Sequence, residues 1–140
     1  MEEANNYWHE LRFDLVRKRE RMAAILERAQ LRPIVPEGGY FMLADFSRLA
    51  ERFPEYLKSG ESPGNANNSN DYRFARWLSR EQKLQGIPGG AFYSASNKRL
   101  GENLLRFCFI KQEATLDGLE RILEKLAGGA PSAPAPAPKL

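Results

Sequence analysis

A strand that is apolar except for one charge in its middle limits what this chain can become. The run Asn103-Leu104-Leu105-Arg106-Phe107-Cys108-Phe109-Ile110 reads as a β-strand. Side chains alternate along a strand, so Leu104, Arg106, Cys108 and Ile110 share one face and Leu105, Phe107 and Phe109 the other. Both faces have the composition of buried surface, which places Arg106 at a partly desolvated position. A guanidinium there is costly unless an anion pairs with it. Spacing alone leaves two kinds of answer open and favours the first. That one is internal: an Asp or Glu of the same chain, or a head that reaches water along its stem. The second is a carboxylate ligand, which the planar fork of Arg takes bidentately and Lys cannot.

The chain around this strand alternates helical and extended segments. Trp8, Leu11, Leu15, Met22, Ile25 and Ala29 follow three- and four-residue steps, with Lys18 the one polar interruption between Leu15 and Met22, and predict one long helix over 5–30. Leu31 to Glu37, held extended by Pro33 and Pro36, and Tyr40 to Asp45 predict two neighbouring strands joined by a turn at Gly38-Gly39. A short helix is expected within 47–57, and a mobile loop within 59–70, which is rich in Gly, Ser, Asn and Pro. Asp71 is expected to cap a helix from Tyr72 to Lys83 with Phe74, Trp77, Leu78 and Leu84 inward and Gly86 as its breaker. Ile87 to Tyr93 reads as a loop or short strand that leaves backbone room beside aromatics. Thr115 is expected to cap a last helix through Leu126, which Gly128-Gly129 end. The Ala/Pro alternation of 130–140 predicts an extended, disordered tail. The fold class is therefore α+β: a small, mostly antiparallel sheet with helices packed on one face, preceded by a long helix. The divisions expected are a long inter-domain-type helix over 1–30, a small domain over 31–127 and the tail over 128–140.

Several chemistries are excluded on inventory. The net charge of +3 is slight and the basic residues are interleaved with acids, which argues against nucleic acid as a partner. No apolar stretch has the length of a membrane span, and the start lacks a secretion signal. His9 is the only histidine and Cys108 the only cysteine, so there is no Ser-His-Asp set, no disulfide and no metal-ligand spacing. No glycine loop opens a helix to cradle a phosphate. What remains is a constellation at strand ends: Gly38-Gly39-Tyr40, the 88–93 loop and Arg106. It suits a carboxylate-binding surface with aromatic walls and carries no catalytic group. A chain that starts almost inside a helix also suggests that something upstream is missing.

These same residues carry a resemblance. Pro36-Glu37-Gly38-Gly39-Tyr40-Phe41, Asp71-Tyr72-Arg73-Phe74 with Trp77, Ile87-Pro88 with Ala91-Phe92-Tyr93-Ser94, and Leu105-Arg106-Phe107-Cys108-Phe109-Ile110-Lys111 followed by Glu113-Ala114-Thr115-Leu116 resemble the C-terminal small domain of fold-type I pyridoxal-phosphate aminotransferases, above all the kynurenine aminotransferase/cysteine-S-conjugate β-lyase group. The similarity covers about 7–127. It implies that Arg106 binds the substrate α-carboxylate, with Gly39, Tyr40 and Phe92 near the substrate. Gly89-Gly90 depart from the pattern, where a bulkier or hydroxyl-bearing residue is expected. The resemblance further implies pyridoxal 5'-phosphate as the cofactor of the intact enzyme, held by a large domain that precedes this region. Amino-acid and 2-oxo-acid substrates, a second subunit of a homodimer, and a cytoplasmic location, with the mitochondrion as alternative, are implied likewise.

No lysine here stands in a cofactor motif, so the chain by itself is expected to bind no cofactor and to be inactive. Two functions of different class follow. One is the substrate-clamping domain of an aminotransferase, which transfers an amino group from an amino acid to a 2-oxo acid in the intact enzyme. The other is a stand-alone interaction module that pairs with a full-length aminotransferase subunit through the long helix.

Overall fold

The computed structural model describes residues 2–58 and 69–128. Helix α1 spans Glu2–Arg28, strand β1 Arg32–Ile34, strand β2 Phe41–Asp45 and the short helix α2 Ser47–Ala50. A 3-10 turn covers Pro54–Lys58, and helix α3 spans Asn70–Gln82. Strand β3 is only Ile87–Pro88; 3-10 turns over Gly89–Phe92 and Ala95–Gly101 lead to strand β4, Leu104–Cys108, and helix α4, Glu113–Ala127. The tail, and all but the end of the loop expected over 59–70, lie outside the described residues. Among the described residues no helix is long and apolar enough to cross a membrane.

The four strands form one sheet in the order β1-β2-β4-β3, every neighbour antiparallel. Ala44 faces Leu105 and Met42 faces Phe107 across the β2–β4 pair, and these four side chains are buried. They lie under Met22, Ile25 and Leu26 of α1, Phe74 and Leu78 of α3, and Leu116 and Leu123 of α4, which belong to the same buried cluster. The helices thus pack on one face, as expected of this α+β class. The opposite face is Phe41, Leu43 and Asp45 of β2 beside Cys108, Arg106 and Leu104 of β4. It is half-buried or exposed, which corrects the expectation that both faces of the Arg106 strand are buried. Among the described residues no helix covers that face, and Arg106 stands in it.

The long helix begins and ends slightly earlier than its periodicity predicts. Gln30 turns left-handed (φ 65°), while the Leu31 N–H donates to the Leu26 carbonyl at 2.9 Å and the Gln30 N–H to the Glu27 carbonyl at 3.1 Å. This is a Schellman-type stop with Gln in the place that Gly usually takes. Only the second half of the predicted stripe is buried: Met22, Ile25 and Ala29, joined by Leu26. Leu11 and Leu15 are half-buried, and Trp8 is exposed. Length explains the difference. The fifteen residues of α4 span about 22 Å at 1.5 Å per residue and cover only about half of the 27-residue α1. Where they overlap, Arg21 pairs with Glu113, Asp117 and Glu120, and Arg28 with Glu120. Each such surface pair contributes little, but together they fix the register of α1 on α4.

Three helix boundaries also differ from expectation. The N-cap position of α3 is Ser69, and Asp71 is the second helical residue, its carboxylate turned inward. α3 ends at Gln82 because Lys83 adopts a left-handed conformation (φ 58°) with its N–H on the Leu78 carbonyl, so Gly86 is not the breaker. The same Gly86 instead packs against the Phe107 ring, 3.1 Å from where a Cβ would stand. α4 starts at Glu113 with Gln112 at its N-cap, so Thr115 lies inside it; Gly128 (φ 70°) closes its far end. At the end of β2, Asp45 accepts hydrogen bonds from the Ser47 N–H, at 2.9 Å, and from the Ser47 hydroxyl. Burial pushes its carboxyl up, but the Ser47 bonds and the Arg32 guanidinium outweigh burial and hold it below the usual range.

Candidate functional site

Arg106 sits opposite Leu43 on one side and Ile87 on the other, because β4 lies between β2 and β3. Both neighbours are apolar. Its guanidinium carbon lies 3.9 Å from the centre of the Phe41 ring and 4.3 Å from the centre of the Phe92 ring. These cation–π contacts stabilise the charge from the ring faces and leave its N–H edges free. Among the described residues no carboxylate pairs with Arg106, and its buried Nε has no hydrogen-bond acceptor. The internal partner left open by spacing is therefore not found among these residues. The Nε atoms of Arg19, Arg28 and Arg73 are likewise buried without an acceptor among the described residues, so it is the two rings and the cleft that set Arg106 apart.

Two elements deliver the aromatic walls. Phe41 comes from β2, diagonal to Arg106 on the open face, since Phe41 pairs with Cys108 and Leu43 with Arg106. Phe92 comes from the 3-10 turn that follows β3, a turn forced close to the sheet by missing side chains. A Cβ on Gly89 would lie 2.6 Å from the Leu104 Cβ, and one on Gly101 2.7 Å from the Gly89 carbonyl carbon. The Gly90 N–H donates to the Asp71 Oδ2 at 2.8 Å. The two glycines that depart from the aminotransferase pattern thus serve backbone packing beneath the turn.

Of the residues singled out in the sequence, the structure brings Phe92 to Arg106. Gly39 and Tyr40 lie in the turn before β2, both exposed, with Gly39 left-handed (φ 78°) and nothing within 4 Å of the place a Cβ would occupy. The Tyr40 carbonyl accepts the Phe109 N–H at 3.0 Å, which extends the β2–β4 pairing by backbone alone. Phe41 was not among the residues singled out. Its signal was the register, which no local pattern in the sequence specifies.

Beside Arg106 a cleft of about 560 Å³ opens along β4, past the end of two-residue β3. Leu84, Leu116, Leu119 and Ile122 form its apolar part; Lys83, Arg106 and Lys111 are its charges, and no acid lines it. Its volume is that of a small-molecule site, and its one-signed charge favours an anion. The lysines do not fit an imine-forming cofactor. Lys58, Lys83, Lys98, Lys111 and Lys125 are exposed, and Lys18 pairs with Asp14 at 3.2 Å. Lys18 is largely buried but its ammonium is taken by Asp14, and the other five described lysines lack the desolvation that an imine-forming amine needs. Among the described residues no group of three or more His, Cys, Asp or Glu side chains is placed to hold a metal ion.

No protein-family model matches the chain. It is 40% identical over 122 residues to kynurenine–oxoglutarate transaminase 3 of Rattus norvegicus, across 87% of this chain and 25% of that protein. The crystal structure of Bna3p from Saccharomyces cerevisiae superposes with a TM-score of 0.76 at 30% identity, over 88% of this chain and 28% of the other. YbdL from Escherichia coli superposes at 0.63 with 24% identity, over 86% and 26%, and shares the fold. The chain spans about a quarter of the length of the relatives it matches. By sequence and by fold, the chain is similar to one small-domain-like α+β region of the kynurenine–oxoglutarate transaminases, about a quarter of their length.

Proposed function

We propose that this chain is the substrate-clamping part of a pyridoxal-phosphate aminotransferase that moves an amino group between an amino acid and a 2-oxo acid. Arg106 grips the α-carboxylate of either substrate through its N–H edge. Phe41 and Phe92 hold the guanidinium in place and keep water from its faces, which strengthens the charge-assisted bonds. The observation that carries this reading is the Arg106 fork itself. It is flanked by two aromatic rings, lies in a cleft lined by no acid, and has no carboxylate partner among the described residues. The partners that follow are amino-acid and 2-oxo-acid substrates, and a large cofactor-binding region with a second subunit in the whole enzyme. That region supplies the cofactor chemistry; the residues described here bind and orient.

This division of labour has a direct test. When pyridoxal 5'-phosphate is added to the purified chain, we expect no stoichiometric imine absorbance, and no 2-oxo acid released from kynurenine. A stoichiometric protein-bound imine with turnover would mean that one of the exposed lysines does the chemistry, and would overturn the assignment.

One observation favours a second reading, in which the chain pairs with a full-length aminotransferase subunit. Tyr7, Trp8, Phe13 and Val16 on the uncovered half of α1 are all exposed. Exposed apolar surface of this kind promotes association. Under this reading, mixing the chain with a full-length homologue produces a heavier species in analytical ultracentrifugation. Unaltered sedimentation of both components removes it.

A further inference from the structure

Phe92 makes a close contact with Arg106 while it is itself 54% exposed. Little packing of its own can hold the ring there, so its position is inherited from the backbone turn beneath it. That turn is pinned by an unusual residue. Among the described residues Asp71 is the only charged one that is buried, 1% exposed, although it stands in the first turn of a helix where a carboxylate normally faces water. Its Oδ2 accepts the Gly90 N–H, 19 residues away, and its Oδ1 has no partner among the described residues. The contact is tight enough that a Cβ on Gly90 would stand 2.7 Å from Oδ2. On the other side Gly89 rests on Leu104 and Gly101, and the Tyr93 N–H closes the turn on the Gly90 carbonyl at 3.2 Å. Helix α3 and strand β4 therefore hold the turn between them, and Asp71 fastens it to the helix by a hydrogen bond.

We infer that Asp71 is a positioning residue: through its bond to the Gly90 N–H it fixes the Gly89–Phe92 turn, and thereby sets the Phe92 ring over the Arg106 guanidinium. The geometry stands without the proposed function; the consequence for binding rests on Arg106 taking a carboxylate. A role confined to stability would leave Arg106 unaltered once the variant has folded.

The test reads Arg106 itself in the full 140-residue chain, isotopically labelled. The ring currents of Phe41 and Phe92 displace the Arg106 side-chain resonances, and Phe92→Ala calibrates the share due to Phe92. Asp71→Ala is expected to lose at least half of that share and to weaken 2-oxoglutarate binding by about three- to tenfold, the scale of one lost cation–π contact. Asp71→Asn keeps an acceptor oxygen and is expected to restore both. Should Asp71→Ala fail to fold, Gly90→Ala provides the same readout by displacing the carboxylate. Wild-type Arg106 resonances in a folded Asp71→Ala or Gly90→Ala variant overturn the inference, as does an Asp71→Asn that behaves like Asp71→Ala. If the wild-type chain binds no 2-oxoglutarate while Asp71→Ala still moves the Arg106 resonances, the clamping function falls and the positioning role stands.

Discussion

Arg106→Ala is expected to weaken the proposed binding of 2-oxo-acid carboxylates, by at least about thirtyfold for 2-oxoglutarate in a solution titration. Truncating one member of a hydrogen-bonded charge pair costs about 2–5 kcal/mol, and about 1.4 kcal/mol is tenfold in affinity. Arg106→Lys keeps the charge and loses the fork, so it is expected to recover only part of the binding, about tenfold short of wild type. The same substitutions have a second expected outcome that separates ligand from structure. An arginine paired with a buried internal acid leaves that acid unpaired when truncated, which costs about 3–5 kcal/mol of stability. Arg106 has no such partner among the described residues; its contacts are the Phe41 and Phe92 rings. Arg106→Ala should therefore shift the stability by no more than about 2 kcal/mol, the scale of two cation–π contacts. Retained affinity, or a large loss of stability with unchanged affinity, would count against the proposed role.

Phe74→Ala is the substitution expected to damage the fold most. Phe74 is fully buried on α3 and stacks on Phe46 with ring centres 4.3 Å apart and planes 6° from parallel. It also meets Tyr56 edge-on at 5.3 Å and Trp77 at 5.5 Å. This cluster joins α3 to the end of β2, where the Phe46 N–H donates to the Asn103 carbonyl just before β4. Removing the ring withdraws apolar area and leaves a cavity among rigid aromatic neighbours that cannot collapse into it. Large-to-small changes of this kind cost about 3–5 kcal/mol, against a total of about 5–15 kcal/mol for a whole domain. Urea unfolding should show a midpoint lower by about 2 M, with an m-value near 1–3 kcal/mol/M. A loss below about 1 kcal/mol would mean that the aromatic cluster is not the junction described here. Because the turn bearing Phe92 is fastened to α3 through Asp71, carboxylate binding should weaken in the same variant.

How far this was legible in the sequence depends on what each feature needs. Alternation along 104–108 was enough to find the strand, its two faces and the face that Arg106 occupies. Periodicity was enough for the three longer helices, α1, α3 and α4, in the right order. It could not say which half of α1 would be covered, because burial of Trp8 or Leu11 depends on the reach of α4, a separate element. Register was equally hidden. Nothing in Phe41-Met42-Leu43-Ala44-Asp45 says which residue faces Arg106, and a shift by one would turn Phe41 away from it. Asp71 was misread because an Asp before a helical run has a strong local preference for capping, and here a tertiary bond to Gly90 won over it. Gly89 and Gly90 read as backbone room beside aromatics; the room is taken by Leu104, Gly101 and Asp71. Spacing left Arg106 open between an internal acid, a head that reaches water and a ligand; the structure shows no acid along the cleft and an open face, on which the guanidinium is free for water or a ligand.

The most direct measurement is the Arg106 Nε–Hε resonance of the labelled chain during a titration with 2-oxoglutarate. The expected result is a saturable downfield displacement of this resonance, lost in Arg106→Ala and absent when a neutral amide of the same skeleton is added. An Arg106 resonance that stays in place up to tens of millimolar 2-oxoglutarate, about the weakest affinity a single fork would give, would contradict the assignment of Arg106 as the carboxylate clamp.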